Sequence, residues 1–177
     1  MTLATRLQQG IRALTAGLRP VDAALAASVL SPAEQALFAR LRRSEQIHSL
    51  NVLRAIQASG EDDPDLLVAA LLHDVGKTLA SFILPERVLV VLVRKLAPAL
   101  YDRWGRAGPE GGPPRGWRRP FAISQCHPAW SARLMAESGC SPRAVELARR
   151  HQEVLSAPPR DETERLLGLL QAADDQN

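Results

Sequence analysis

The 177-residue chain reads as an all-α protein, and three observations predict that class. Aromatic residues are only 4 % of the chain, so Ala, Leu and Val must fill the core, as is usual in helical proteins. Helix-start signals recur along the sequence. No segment alternates apolar and polar residues with the β-branched side chains a strand would carry. The length suits one domain with a sizeable core.

The elements follow in order. Residues 1–30 read as an N-terminal helical extension, in which RALTAGL and VDAALAASVL are amphipathic and suited to docking a partner or a second copy. The helical domain is expected over 31–177. Ser31-Pro32-Ala33-Glu34 joins an N-cap, a proline at the first helical position and a capping-box glutamate. The helix it opens should run through Leu41 and His48 towards Ala58 and stop at Ser59-Gly60. Asp63-Pro64 repeats the signal, and that helix carries AALLHDVGKTLA at 69–80. Pro85 opens a helix over 86–97 that Pro98 ends. GRAGPEGGPPRGWRRP reads as a loop. His127-Pro128 starts a helix ending at Gly139, because a proline disfavours α geometry in the residue before it. Ser141-Pro142 opens another, to about Leu155. After SAPPRD a last helix runs from about Glu162 to Asp174.

The formal charge is +3, and residues 101–119 hold all of that excess: Arg103, Arg106, Arg115, Arg118 and Arg119 against Asp102 and Glu110. So small a patch could draw a phosphate-bearing ligand but is a poor footprint for nucleic acid. Cys126 and Cys140 lack metal-type spacing, which points to a reduced, cytoplasmic setting. The N-terminus is amphipathic and broken by arginines, unlike a secretory signal. The run VLVVLV at 88–93 is too short to span a bilayer.

Six polar residues stand where helical spacing predicts burial or a helix start. His48 shares its face with Leu41 and Val52, and His73 with Ala69 and Ala70. Asp74 lies over Leu67, Ala70 and Leu71. His151 shares a stripe with Ala144, Leu147, Ala148 and Leu155, and His127 opens its helix. Asp174 follows Leu167 and Leu170, whereas Asp175 sits over Gly168 and Gln171 on the wetter side. Burying a carboxylate costs several kcal/mol unless it is paired or metal-bound, and no lysine or arginine occupies these stripes. One metal centre would satisfy all six. Imidazole and carboxylate donors suit Fe, Mn, Co, Ni or Zn, in one ion or two, with positions left open for water and a phosphoryl oxygen.

His48, the doublet in LLHDVGK and the late Asp174 together resemble the HD-domain phosphohydrolase superfamily, a helical-bundle family named for that doublet. The resemblance spans roughly Ser44 to Asp174. It implies His48, His73, Asp74 and Asp174 as ligands of a first metal. HPAWSARLMAESG and RRHQE look like the branch with two added histidines, which implies His127 and His151 as ligands of a second ion and Asp74 as the bridge. The chain lacks the paired histidine and Gly-Tyr-Pro signature of the cyclic-dinucleotide enzymes. The two-metal pattern also resembles HD-type hydrolases of diadenosine tetraphosphate.

The expected activity is therefore phosphoester or nucleotide polyphosphate hydrolysis by metal-activated water, with Asp74 and Lys77 as the catalytic pair. Lys77 lies three residues after Asp74 and is placed to steady a phosphate as a point charge. The expected partner is a small phosphorylated or nucleotide substrate, with no nucleic acid and no membrane span, and a homo-oligomer is an open outcome. Glu45 could support the ligands, Arg149 or Arg150 could approach substrate, and Trp104 and Trp117 could stack on a base or anchor the loop. The alternative function is a catalytically silent module that senses a nucleotide or binds a protein.

Overall fold

The computed structural model describes residues 20–80, 83–106, 116–155 and 158–177. The amphipathic stretch before residue 20 and most of the arginine-bearing loop, 107–115, lie outside the described residues. The fold is all-α: the described residues contain nine α-helices, one 3₁₀ segment and no strand.

Helix α1 (Ala23–Val29) and α2 (Pro32–Phe38) come first. Ala26 and Leu30, inside the stretch assigned to an extension, are buried in the main core. Ser31 and Glu34 form the expected capping box. The helix it opens is not continuous to Ala58, however. It stops at Phe38, and α3 (Arg43–Ala58) starts afresh. The break buries Phe38 and Leu41, and polar groups tie it off. Arg42 N–H donates to Glu45 Oε2 at 3.2 Å, and Gln46 Nε2 donates to the Phe38 carbonyl at 3.2 Å.

Helix α4 (Pro64–Leu72) is capped by Asp63. It ends one residue before the His-Asp doublet, not beyond it. His73 is the C-cap, and Asp74 sits at φ −99°, ψ 1°, in the sparsely populated bridge region. A 3₁₀ segment then covers Val75–Leu79.

Helix α5 (Leu84–Leu96) is followed by α6 (Pro98–Gly105), a stretch for which the sequence pattern predicts no element. Helix α7 (Arg119–Glu137) begins eight residues before His127. Pro128 therefore lies inside a helix, contrary to its expected role as a start. Proline has no N–H to bond the carbonyl four residues back, here that of Ser124. The His127 ring fills the gap: Nδ1 is 3.1 Å from Ser124 O and 3.0 Å from Ile123 O.

Helix α8 (Pro142–Arg150) is shorter than expected, and His151 caps its C-terminus. The final α9 (Glu162–Gln176) is capped by Asp161.

Two helices position the site. Helices α4 and α8 each begin with a capping residue followed by proline, run nine residues and end on a histidine C-cap. Their starts are tied together. Ser141 Oγ donates to Asp65 Oδ1 at 2.5 Å, and Arg143 bonds Asp65 Oδ2 at 2.6 Å and Asp63 Oδ2 at 2.7 Å. Equal lengths from a common base bring the two histidines to the same level. The main core joins α1–α4 with α7–α9, while Val90, Tyr101 and Phe121 form a separate cluster under α5 and α6. No helix of the described residues is long and apolar enough to cross a membrane.

Candidate metal centre

Five helices, α3, α4, α7, α8 and α9, together with the start of the 3₁₀ segment, bring the six predicted ligands to one place. His48 comes from mid-α3 and Asp174 from the last turns of α9, with His48 Nε2 2.9 Å from Asp174 Oδ1. His73 Nε2 lies 3.6 Å from that same oxygen and 3.7 Å from Asp74 Oδ2. On the other side, His127 Nε2 is 3.2 Å and His151 Nε2 3.8 Å from Asp74 Oδ1. The two Nε2 atoms are 3.3 Å apart. Asp74 thus turns one oxygen toward each histidine set. His48, His73 and Asp74 form one group with donor atoms close enough to share an ion, and Asp74, His127 and His151 form another.

The imidazoles are oriented by the backbone. His73 Nδ1 is 3.1 Å from Ala70 O, and His151 Nδ1 is 2.7 Å from Ala148 O. With His127 on Ser124 and Ile123, all three buried rings have Nδ1 against a carbonyl, which fixes the proton there and leaves the Nε2 lone pair for a ligand bond. His73 Nε2 and Asp74 Oδ1 are buried without a hydrogen-bond partner. Such orphans are rare and costly in a folded core, and a cation is what would satisfy both. Two helix C-termini, those of α4 and α8, also point their negative ends at this spot.

Electrostatics match. Burial and the Lys77 charge push His127 below the ordinary imidazole value. Burial and the neighbouring His73 and His127 push His151 down to about 3. Both rings are therefore neutral near pH 7, as ligation requires. Burial works against a charged His73 too, but the carboxylates of Asp74 and Asp174 outweigh it and its value rises. Burial likewise opposes ionisation of Asp74 and Asp174. The charges of Lys77 and His73 overcome this at Asp74, and a hydrogen bond from His48 with the nearby charge of His73 overcomes it at Asp174, so both carboxyls stay below the usual range.

The HD domain family model matches residues 46–175, nearly three quarters of the chain and all six of these residues. The chain belongs to the HD domain family. No curated protein and no solved structure matches it significantly. HD domains bind divalent metals and are typically metal-dependent phosphohydrolases.

Other residues singled out in the sequence fall into place around this HD domain's centre. Contrary to the expectation that no cation pairs with these carboxylates, Lys77 Nζ sits 2.5 Å from Asp74 Oδ2, because the 3₁₀ segment after the doublet folds it back onto Asp74. Glu45 caps α3 and pairs with Arg87 at 3.2 Å instead of supporting a ligand. Arg150 is engaged by Glu153 and Glu164, and Arg149 by Glu146. Trp104, Trp117 and Phe121 stack edge-to-face, Trp104 lying 5.1 Å from each of the others, and so anchor the start of α7.

Three residues escaped the sequence reading. Gly76 is needed because a Cβ there would meet His127 O at 2.3 Å and Ser131 N at 2.7 Å. Ser131 Oγ accepts from Gly76 N–H at 2.8 Å, holding the 3₁₀ segment flush against α7. Gln152 places Nε2 3.4 Å from His127 Nε2 and opens onto a cleft of about 310 Å³, walled also by Arg94, Tyr101, Gln125 and Arg149. Only the glycine carried a visible signal, through its place inside HDVGK.

Proposed function

We propose that this HD domain is a phosphohydrolase that cleaves a small phosphoester or nucleotide polyphosphate. His48, His73, Asp74 and Asp174 would hold one divalent ion, and Asp74, His127 and His151 a second. The donor set of imidazoles and carboxylates suits Fe, Mn, Co, Ni or Zn better than Mg, which prefers an oxygen shell. A divalent ion so bound supplies Lewis acidity and an activated water to phosphoryl chemistry.

The protein's own part follows from the geometry. Asp74, 4 % exposed, is the residue common to both ligand groups and offers a separate oxygen to each. That single observation carries the reading. Lys77, on the accessible side of Asp74, is placed to receive a phosphoryl oxygen or the leaving oxygen as a point charge. The cleft beside Gln152, walled by Arg94, Arg149 and Glu153, would give the rest of the substrate a place next to the histidines. Its two-sided placement against metal ligands makes a purely structural role for Asp74 a poor fit.

The test is elemental analysis of anaerobically purified protein, followed by a phosphoester panel with Mn, Fe, Co and Ni each supplied. We expect at least one transition-metal ion per chain and release of phosphate or nucleotide that a chelator stops. Asp74→Asn should lose both metal and turnover. A metal-loaded protein that hydrolyses nothing in the panel would overturn the proposal, and tight nucleotide binding without turnover would mark a silent sensing module.

A further inference from the structure

Helix α5 is assembled inside out. Its inward side buries only Val90, with Val93 partly covered, against Tyr101 and Phe121. Val88, Leu89, Val91, Leu92 and Leu96, with Leu100 from α6, are each between 41 and 76 % exposed. At 100° per residue the five α5 side chains share one outward stripe, interrupted by Lys95 alone. Ion pairs at its edges fix the helix in this orientation, Arg87 to Glu45 at 3.2 Å and Arg119 to Glu86 at 2.5 Å. The sequence pattern would normally turn this stripe toward a core.

We infer that the outward face of α5 is a homodimer interface, covered by the same face of a second copy. The six side chains present roughly 500 Å² of apolar surface, near the largest patch a typical monomer leaves exposed. Two such faces bury about 1,000 Å² together, the lower bound for a specific interface, before any rim is added. The row Val88, Leu92, Leu96 is an i±4 ridge, and two of these interdigitate in the commonest helix-packing class. A two-fold axis passing by Leu92 pairs Val88 of one copy with Leu96 of the other, so the stripe is complementary to itself. That arrangement sets the two Lys95 side chains on opposite sides of the axis. Arg94 points away from the stripe, so the cleft beside the histidines stays open. The inference is independent of the proposed chemistry.

The experiment is light-scattering mass measurement of the full chain at tens of micromolar, with metal content and far-ultraviolet circular dichroism in parallel. We expect twice the 19.3 kDa of one chain for the native protein. Leu92→Glu should halve the mass while leaving helicity and metal content unchanged. Leu96→Lys, at the far end of the ridge, should weaken the dimer in the same direction, at least tenfold in dissociation constant. A native protein at single-chain mass throughout, or a Leu92→Glu dimer as tight as the native one, would overturn the inference. So would a single-chain native protein that sediments with anionic lipid vesicles through this stripe.

Discussion

His127 Nδ1 stands 3.1 Å from the Ser124 carbonyl, in the place of the backbone N–H that Pro128 cannot offer. A helix defect and the orientation of a candidate ligand are thus one feature. Pro128→Ala should separate them. Restoring the N–H removes an interior-proline cost of up to ~3 kcal/mol and supplies a competitor for Ser124 O. The melting temperature should rise, while metal affinity at the His127 side falls by up to ~10-fold, since His127 keeps Ile123 O. Calorimetry and metal titration check the two directions together.

Arg143→Ala should loosen the base of α4 and α8. The side chain is 38 % exposed, so its pairs with Asp63 and Asp65 are partly screened, and the expected effect is a small fall in melting temperature. Because His73 and His151 hang from the far ends of those helices, metal affinity should fall as well.

Gly76→Ala forces a methyl group into backbone atoms of His127 and Ser131 that have no room to give. Overpacking of this kind costs about 1–3 kcal/mol. The larger effect should be on metal content, as the strain relaxes by moving Asp74 away from His127. Ser131→Ala, which only removes a buried hydrogen bond worth about 1 kcal/mol, should be milder on both measures.

The metal-free protein should lose stability as pH falls through the histidine range. His127 and His151 have folded values below the unfolded 6.5, with His151 at about 3, so between those limits the unfolded chain binds more protons. The contribution of these two is full above pH 6.5 and drains below it, by about 1.4 kcal/mol per pH unit for each fully differing group, whereas that of the raised His73 is full below 6.5 and is lost as pH climbs through its folded value. His73, raised, adds no slope below 6.5, and the lowered Asp74 and Asp174 act only as pH nears their unfolded 3.8. His151→Gln should flatten the melting-temperature profile from pH 6.5 to 4.5. An equally steep profile in that variant would refute the assignment.

Lys77→Ala should lower kcat by roughly 10–100-fold with metal content retained, because the ammonium touches Asp74 Oδ2 without belonging to either ligand group. Lys77→Arg should restore little, a planar fork being a poor substitute for a point charge.

Much of this was legible in the sequence where local chemistry decides. Ser31, Asp63 and Ser141 cap the helices their neighbouring prolines announce, and the periodicity around His48, His73 and His151 led to side chains that meet. What could not be read involves compensation by something distant or unusual. The break at 39–42 rests on a glutamate capping an arginine's backbone, and a ring rescues Pro128 within its helix. The tie between Asp65 and Arg143 spans 78 residues, and the demand for a glycine at 76 comes from a helix fifty residues away. Helix α6, short and opened by Pro98 alone, offered too few turns for a period to show.

The matched span of α4 and α8 works as a caliper. One residue added to either helix would raise its terminal histidine by about 1.5 Å and swing it by about 100°, aiming the ring out of the cluster while every cap and core contact below survived. The same addition to both would lift the pair in step but turn both rings away together. Nine residues from proline to histidine is therefore a fixed gauge in this protein, and drift in loop length elsewhere is cheap by comparison.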